Sequence, residues 1–298
     1  AGLVFLLSRL LTRHIMKPID ALDMAEPLEN DIYGEMVPLL QRIDDQQTQL
    51  KKQNKELAEA ESMRRDFSSN VSHEMKTPLQ VISGYAELMK NDMVLPEDRQ
   101  KFAGLIYDEA QAMRGLINDV LTLSKLDESA FAREERPIDV TSVARRMAGR
   151  LESFAADEGV SISVKGASAH INGSETLAEE MLSNLIENAV RYNHAGGSVS
   201  VRVSQGAASE EVLEALRAAG AEPDPESVVT VRVSDTGAGI PEEMREKVFE
   251  RFFRLDKSRS KETGGTGLGL AIVKHAVQYH HGTICVEGAQ GEGTTFVL

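Results

Sequence analysis

This 298-residue chain is short of cysteine, tryptophan and basic residues. It has no tryptophan and one cysteine, Cys285, which excludes a disulfide framework and a multi-cysteine metal site. We expect that cysteine to be a small buried hydrophobic residue. Lys and Arg number 33 against 47 Asp and Glu, and the formal net charge of −14 argues against nucleic acid as a partner. The length suits two or three modest domains.

A hydrophobic run long enough to cross a membrane is also missing at the N-terminus. The chain begins with a mostly apolar stretch, but a spanning helix needs about 20 such residues. Arg9, Arg13, His14 and Lys17 follow closely, as basic residues do at the cytoplasmic end of a membrane helix. We expect residues 1–12 to be the tail of a transmembrane helix of a longer protein. An interfacial amphipathic helix and an ordinary packed helix start are the alternatives.

The segments that follow are predicted to relay a signal along helices. Residues 13–42 resemble a shortened and degenerate HAMP signal-relay region. Residues 43–65 are predicted to form a coiled-coil signalling helix, in which polar core positions lower stability and permit a change of register. A plain polar linker helix is the alternative. The heptad core positions are Leu40, Ile43, Gln47, Leu50, Asn54 and Leu57.

The periodicity around His73 predicts an amphipathic helix. Apolar residues recur every three or four positions, which is the spacing of one helical face. His73 is two positions from both Val71 and Met75, so at about 100° per residue it points away from that face and toward solvent. The apolar stripe consists of Phe67, Val71, Met75, Leu79, Ile82, Ala86 and Met89.

Three neighbours distinguish His73 from an ordinary surface histidine. Glu74 can orient or deprotonate the imidazole and leave one ring nitrogen as a nucleophile. Thr77 places a hydroxyl one turn away on the same face. Pro78 removes a helical hydrogen bond, and we expect a bend there rather than a helix end, because the apolar stripe continues beyond it.

A second amphipathic helix is predicted after a turn at Asn91–Asp98. Pro96 followed by two acidic residues is typical of a helix start. A hairpin of two helices with one apolar face each cannot bury both faces by itself. We therefore expect two hairpins to pair as a four-helix bundle, which makes the protein a homodimer. The second stripe consists of Phe102, Ile106, Ala110, Met113, Ile117, Val120 and Leu121.

From about Arg136 the pattern changes to short strands that alternate with helices, which predicts an α/β sandwich with helices on one face of its sheet. The expected strands are Val160–Val164, Val199–Val203, Val229–Val233, Thr283–Glu287 and Thr295–Leu298. The expected helices are Val143–Ala156, Thr176–Arg191, Pro241–Val248 and Leu268–His280.

Four segments carry motifs that are far more specific together than separately. They are Phe67–Leu79, Asn184–Tyr192, Asp235–Ile240 and Gly264–Leu270. In this order and spacing they resemble the H, N, G1 and G2 boxes of bacterial sensor histidine kinases, and Phe249–Arg254 matches the family's F box. The resemblance covers nearly the whole chain. It implies an α+β multidomain fold, with a helical-hairpin dimerisation domain followed by an α/β sandwich of the Bergerat ATPase type.

The resemblance also implies the binding of ATP and Mg²⁺. Asn184 and Asn188 lie four residues apart on one helix, so their amide oxygens face the same way and suit Mg²⁺. By resemblance, Asn188 is the principal metal ligand and Asn184 assists. The other implied ATP-binding residues are Arg191 and Arg254 near phosphate, Tyr192 at the adenine site, Asp235 with Gly237 and Gly239 at the adenine amino group, and Gly265, Gly267, Leu268 and Gly269 at a phosphate-binding helix N-terminus.

The implied function is autophosphorylation of His73 from Mg-ATP, followed by transfer to an aspartate of a response regulator. Glu74 and Thr77 match the family's Glu-x-x-Thr pattern, which implies that the chain is also a phosphatase of that regulator. A nucleotide-binding scaffold and a gyrase-like ATPase are the alternatives. The resemblance places the chain on the cytoplasmic side of the bacterial inner membrane. Residues 66–130 are expected to form the dimerisation and phosphotransfer domain, and residues 136–298 the catalytic ATP-binding domain.

The chain departs from the family pattern between the strands around Val201 and Val231. A short hairpin is expected there, but Ser204–Ser227 intervenes. Its centre, Glu210–Ala219, is rich in helix formers, and Gly220 can end a helix. We expect a short helix at the rim of the sheet and away from the ATP site. A tolerated surface insertion and a partner contact are both open as its role.

Overall fold

The computed structural model describes residues 37–127, 136–255 and 265–298, together with Gly2, Ser8 and Arg9. The predicted membrane-helix tail at 1–12 and the HAMP-like region at 13–42 lie largely outside these residues. In this part of the chain, no helix combines the length and the apolar character that a membrane crossing requires. The chain divides into two units, Ala1–Ser69 and Asn70–Leu298.

Helix α1 (Val37–Lys90) begins in the first unit, where the heptad residues Leu50 and Leu57 are exposed. Ion pairs link residues four apart on its surface, for example Lys52–Glu56. Each exposed pair of this kind contributes only about 0.3–0.5 kcal/mol. The ion pairs therefore stabilise the helix only slightly, and they do not bury its heptad residues as a second helix would. The coiled coil stays a prediction.

The second unit begins with a helical hairpin. Helix α1 continues through Pro78, so the proline lies inside the helix and does not end it. A 3₁₀ turn, Pro96–Asp98, then leads into α2 (Arg99–Asp127). The rings of Tyr85 and Phe102 pack edge to face across the hairpin, with centroids 5.2 Å apart. This contact joins the two helices close to their connecting turn.

The rest of the second unit is an α/β sandwich, as predicted. In chain order its elements are β1 (Arg136–Asp139), α3 (Val140–Asp157), β2 (Ser161–Lys165), β3 (His170–Gly173), α4 (Glu175–Arg191), β4 (Ser198–Gly206), α5 (Glu210–Ala218), β5 (Val228–Asp235), α6 (Gly269–Tyr279), β6 (Cys285–Gly288) and β7 (Thr294–Val297). Five strands form one sheet in the order β2-β4-β5-β7-β6, in which only β2 and β4 are parallel neighbours. Strands β1 and β3 form a separate antiparallel pair.

The residue patterns explain how this sandwich is held together. Alternate residues of a strand share a face, and accordingly Val199, Val201 and Val203 of β4 and Val231 and Val233 of β5 are all buried. They share one core with residues of α3, α4 and α6. The buried face of α4 consists of Leu177, Ala178, Met181, Leu182, Leu185, Ile186, Ala189 and Val190.

Two short strands were not predicted. Strands β1 and β3 contain only four residues each, too few for a clear alternation of apolar and polar residues. Their pairing joins Ile138 to Ile171. It also brings Asp139 to the start of α3, where its carboxylate accepts hydrogen bonds from the backbone amides of Thr141 and Ser142, at 3.0 and 3.1 Å. This arrangement is an N-cap, which the sequence signal for α3 did not include.

Two other predictions were wrong. The helix expected at Pro241–Val248 is instead two separate 3₁₀ turns, Glu242–Met244 and Lys247–Phe249. The backbone amides of Met244 and Arg245 donate to carbonyls only three residues back, those of Pro241 and Glu242, which is the 3₁₀ pattern. The guanidinium of Arg245 donates to the carbonyl of Gly288. Cys285, expected to be buried, is exposed because β6 is an edge strand of the sheet.

The insertion between β4 and β5 contains the predicted helix, α5. Its N-cap is Ser209, whose hydroxyl accepts from the amide of Val212, and Leu213 is buried. Gly206 pairs with Val228 where the insertion begins, whereas Asp235 is at the opposite end of β5. At about 3.3 Å per residue, the length of β5 separates α5 from Asp235, as expected.

His280 supports the start of α4 from within the core. Its Nε2 accepts a hydrogen bond from the amide of Ser174 at 3.2 Å, and its Nδ1 lies 2.7 Å from the carbonyl oxygen of Ala276. With Nε2 as an acceptor, the neutral ring carries its proton on Nδ1. Burial lowers the pKa of His280 below its ordinary value of 6.5. The neutral ring therefore takes the place of a side-chain cap, since the hydroxyl of Ser174 makes no such bond.

We predict that His280 contributes a loss of stability as the pH falls below about 6.5. The unfolded chain binds a proton near the ordinary histidine pKa, whereas the folded chain resists protonation until a lower pH, so acid favours unfolding. Substitution His280→Gln should lower the unfolding temperature at pH 7.5. The difference in unfolding temperature between this variant and the wild type should be smaller at pH 5.5. Thermal unfolding at several pH values measures both effects. Substitution His194→Gln on an exposed loop is the control, and an unchanged pH profile in His280→Gln would contradict the assignment.

Candidate active site

His73 is solvent-facing, as predicted. Its side chain is 79% exposed on α1, and its Nδ1 lies 4.0 Å from Glu74 Oε1. The hydroxyl of Thr77 lies one turn further along the helix and donates to the carbonyl oxygen of His73 over a long 3.5 Å. An exposed imidazole with a carboxylate on one nitrogen has its other nitrogen accessible to a reaction partner.

Glu74 also contacts the sandwich domain. Arg254 Nη2 lies 3.6 Å from Glu74 Oε2, and the arginine side chain is only 17% exposed. The sequence predicted that Arg254 would reach the terminal phosphate of ATP but not that it would meet Glu74. The carboxylate of Glu74 thus lies between the imidazole of His73 and the guanidinium of Arg254, and the contact brings the F-box arginine next to the candidate phosphoacceptor.

Asn184 and Asn188 project from the half-buried polar side of α4. The amide nitrogen of Asn184 donates to the carbonyl oxygen of Glu180 at 2.9 Å, which orients the side chain. A methyl group placed on Gly269 would lie 2.6 Å from Asn184 Oδ1, so any larger residue there would have to displace the Asn184 side chain. The structure therefore brings Asn184 to the first residue of α6, where the phosphate-binding N-terminus was predicted. Two amide oxygens on one face suit a Mg²⁺ ion that keeps waters and phosphate oxygens as its other ligands.

Arg191 and Tyr192 end helix α4 in different surroundings. Arg191 pairs with Glu187, and its guanidinium stacks 5.5 Å from the ring centroid of Phe154. Its predicted contact with phosphate stays a prediction. Tyr192 is half-exposed, and a methyl group on Gly265 would lie 3.6 Å from its hydroxyl. The tyrosine therefore borders the glycine loop, and its predicted place at the adenine site stays a prediction.

Asp235 is held at the end of β5 by backbone amides. Its Oδ1 accepts from Gly237 at 2.8 Å and from Thr294 at 3.1 Å. Burial raises the pKa of Asp235 above its ordinary value, and these hydrogen bonds oppose that increase. Gly239 has φ +71°, and its backbone packs on the carbonyl of Ala289. The sequence analysis assigned Thr294 no role, yet its amide helps to orient the carboxylate that was predicted to bind adenine.

The glycine loop leads directly into α6. Gly267 has φ +71°, which favours glycine, and its carbonyl accepts from the amide of Phe252 at 2.8 Å. Leu268 is fully buried, and its amide donates to the hydroxyl of Thr266 at 3.2 Å. These contacts join the F-box segment to the loop. Of the predicted phosphate-binding residues, Gly265, Gly267 and Leu268 lie directly before the helix and Gly269 is its first residue.

Helix α2 meets this loop through Asp119, which the sequence analysis did not identify. The hydroxyl of Thr266 donates to Asp119 Oδ2 at 2.7 Å. The pKa of Asp119 is raised to about 6, chiefly by burial. The hydrogen bond from Thr266 opposes this increase, and the nearby Glu180 and Glu187 on α4 add to it. Leu116 and Leu123 on the same stripe of α2 are buried. Leu116 and Leu123 do not belong to the apolar face of α2 that was predicted to form the bundle. Their spacing in the sequence was the signal that could have revealed this contact with the nucleotide domain.

We predict that neutralising Asp119 stabilises this arrangement at neutral pH. A raised carboxyl pKa means that the folded chain binds a proton more readily than the unfolded chain, so stability increases as the pH falls through about 6. Substitution Asp119→Asn should therefore raise the free energy of unfolding at pH 7.5 by about 1–2 kcal/mol, with a smaller difference at pH 5. Denaturant unfolding of the whole chain measures it, with Asp108→Asn on the exposed side of α2 as the charge-matched control. A lower stability of Asp119→Asn at pH 7.5 would contradict the prediction.

Comparison with known proteins agrees with this geometry. The chain matches the His Kinase A (phospho-acceptor) domain over residues 63–129 and the histidine kinase-, DNA gyrase B-, and HSP90-like ATPase over residues 173–298. It is 34% identical to the sensor-like histidine kinase SenX3 of Mycolicibacterium smegmatis, over 82% of this chain and 59% of SenX3. It is also 34% identical to the phosphate regulon sensor protein PhoR of Pseudomonas aeruginosa, over 79% of this chain and 49% of PhoR.

Among solved structures, full-length ShkA in complex with AMPPNP is similar to this chain with a TM-score of 0.52 and 28% identity, over 77% of this chain and 44% of ShkA. The matched part of the chain corresponds to about three fifths of SenX3 and about half of PhoR. Both matched domains follow in the order that the motifs predicted. The chain belongs to the bacterial two-component sensor histidine kinases.

Proposed function

We propose that this chain is the kinase portion of a sensor that phosphorylates His73 from Mg-ATP and passes the phosphoryl group to an aspartate of a response regulator. One observation carries the proposal: the exposed imidazole of His73 and the nucleotide domain meet through Glu74 and Arg254. The family of the chain supports the same reaction. A gyrase-like ATPase has no use for an exposed histidine on a helical hairpin, and a scaffold needs no nucleophile.

The residues take distinct parts in this proposal. Glu74 holds one nitrogen of His73 so that the other attacks the γ-phosphorus, and the bond from that phosphorus to the bridging oxygen of ADP breaks. Asn188, assisted by Asn184, holds Mg²⁺, which neutralises phosphate charge when bound. Asp235 accepts from the adenine amino group. Arg254 leaves Glu74 for the transferred phosphate as the two domains move relative to each other.

The helical hairpin provides the second part of the proposal. Leu79, Leu88, Ile117 and Leu121 are large apolar residues that the single chain leaves exposed. Pairing two hairpins into a four-helix bundle covers such faces, and the match to the His Kinase A domain supports a dimer and a response-regulator partner. We further propose that the N-terminal residues join this portion to a membrane-spanning sensor, with a HAMP-like relay at 13–42 and a signalling coiled coil at 43–65.

The central test is labelling with ATP that carries radioactive γ-phosphate. The wild-type chain should acquire label that is acid-labile and base-stable, as expected of phosphohistidine. Substitution His73→Gln should abolish the label and leave ATP affinity within about twofold, because His73 lies outside the nucleotide domain. Substitution Asn188→Ala should instead remove ATP-dependent labelling while His73 stays competent. Release of free phosphate without protein label would favour an ATPase, and loss of ATP affinity in His73→Gln would contradict the division between the domains.

Mixing the two variants tests whether the subunits of the dimer cooperate. A heterodimer of His73→Gln with Asn188→Ala has one intact nucleotide domain and one intact histidine on different subunits. Label on the Asn188→Ala chain would show transfer between subunits. Absence of label, with heterodimers verified by a tag on one chain, would mean transfer within a subunit.

We also predict that Thr77 separates two activities. Its hydroxyl lies beside His73 without being the nucleophile, so it can hold the water that dephosphorylates the regulator. Substitution Thr77→Ala should reduce phosphatase activity at least about tenfold, the size of effect that loss of one catalytic hydrogen bond produces, and spare most autophosphorylation. Substitution Thr77→Ser retains the hydroxyl and should restore the phosphatase. Equal loss of both activities in Thr77→Ala would rule out this separation of roles.

A further inference from the structure

We propose that Asn193 is a positioning residue for adenine selectivity, because its side-chain amide ties the end of α4 to the loop that carries Asp235. The inference rests on the proposed binding of ATP. Asn193 follows the last turn of α4 and is partly buried. Nothing in the motif that ends at Tyr192 assigns it a function.

Every hydrogen-bonding position of the Asn193 amide is used. Its nitrogen donates to the carbonyl oxygens of Ala189 and Ser198, each at 3.2 Å. Its oxygen accepts from the amide of His194 at 3.0 Å and from the hydroxyl of Thr236 at 3.1 Å. Two backbone carbonyls can only accept and a backbone amide can only donate, so the orientation of this side chain is determined.

Thr236 completes a closed network. While its hydroxyl donates to Asn193, it accepts from the amide of Ser198 at 2.9 Å. Its own amide donates to the carbonyl oxygen of Ser198 at 3.2 Å. Three segments meet here: the end of α4, the first residue of β4, and the loop after β5. Asp235 precedes Thr236 directly, so this network determines where that loop departs from the sheet.

Close packing explains why the network leaves little freedom. A methyl group on Gly197 would lie 2.8 Å from Asn193 Cγ, so the backbone lies directly against the amide. A methyl group on Gly237 would lie 3.2 Å from the carbonyl carbon of Tyr192. The end of the magnesium-binding helix and the loop of the adenine site are therefore in backbone contact, and Asn193 provides the directional bonds between them.

Polar side chains of similar size do not make this set of bonds. Aspartate has no donor at neutral pH for the carbonyls of Ala189 and Ser198, and its charge would face them directly. Serine has one donor, so it cannot bond both of these carbonyls. We therefore expect loss of Asn193 to let the Asp235 loop shift relative to α4. The effect should fall on recognition of the base rather than on phosphoryl transfer.

The experiment compares ATP with inosine triphosphate, which differs from ATP in the base and has a carbonyl oxygen where adenine has its amino group. Affinities of the full chain for both nucleotides are measured by calorimetry with Mg²⁺ present. Substitutions Asn193→Ala and Thr236→Val should each lower ATP affinity about 5–10-fold, the effect of losing about 1 kcal/mol of hydrogen bonding, and lower inosine triphosphate affinity less. The ratio of the two affinities should therefore fall. The rate of His73 labelling at saturating ATP should fall less than ATP affinity does.

Matched controls separate positioning from general damage. Asn172→Ala on β3 and Thr230→Val on β5 make the same chemical changes away from this network, and both should retain the wild-type ratio. The double variant of Asn193 and Thr236 should lose less affinity than the two single losses combined. An equal loss of both nucleotides, or an unchanged ratio in Thr236→Val, would overturn the inference. Absence of ATP binding by the wild-type chain would instead overturn the proposed function.

Discussion

Burial of one face of α4 is the constraint on which the candidate site depends. Leu182, Leu185, Ile186 and Ala189 are almost fully enclosed, and each large apolar side chain buried in this way contributes about 1.5–3 kcal/mol. The helix cannot rotate without exposing them. The amides of Asn184 and Asn188 are therefore presented toward the glycine loop as a consequence of core packing, and not because they make strong bonds of their own.

The candidate nucleotide site is then assembled from segments that backbone contacts bring to this helix. Because Gly269 has no side chain, Asn184 can lie against the start of α6. In the same way, Gly237 lets its loop lie against the carbonyl of Tyr192. A larger side chain would displace the Asn184 side chain at the first position, and at the second it would push the loop away from the end of α4. Asp235 is oriented in the same manner, by the amides of Gly237 and Thr294. The site is thus built mainly from main-chain geometry, on which a few polar side chains are placed.

The contacts between the helical hairpin and the nucleotide domain are of a different kind. Glu74 meets Arg254 at 3.6 Å, and Asp119 meets Thr266 at 2.7 Å. A partly exposed ion pair contributes at most about 1 kcal/mol, and Asp119 is buried at a cost that its raised pKa reflects. Polar contacts of this strength can be exchanged for others, which suits a histidine and a nucleotide that the proposed reaction brings together and then separates.

The sequence alone determined the two-domain division, most element positions and the candidate residues. Helical and strand periodicity depends on local geometry, and the motif around His73 and the asparagine pair are local in the chain. The sequence did not reveal β1 and β3, whose four residues each carry too little pattern. It also predicted one helix at 241–248, where the structure has two separate 3₁₀ turns. Only the tertiary structure decided that Glu74 pairs with Arg254, that Asp119 meets Thr266, and that Asn193 joins three segments. The residues of each pair are far apart in sequence, and the contacts of Asn193 require two backbone segments to lie close together. The identity of a side chain does not by itself specify which distant segment it will meet.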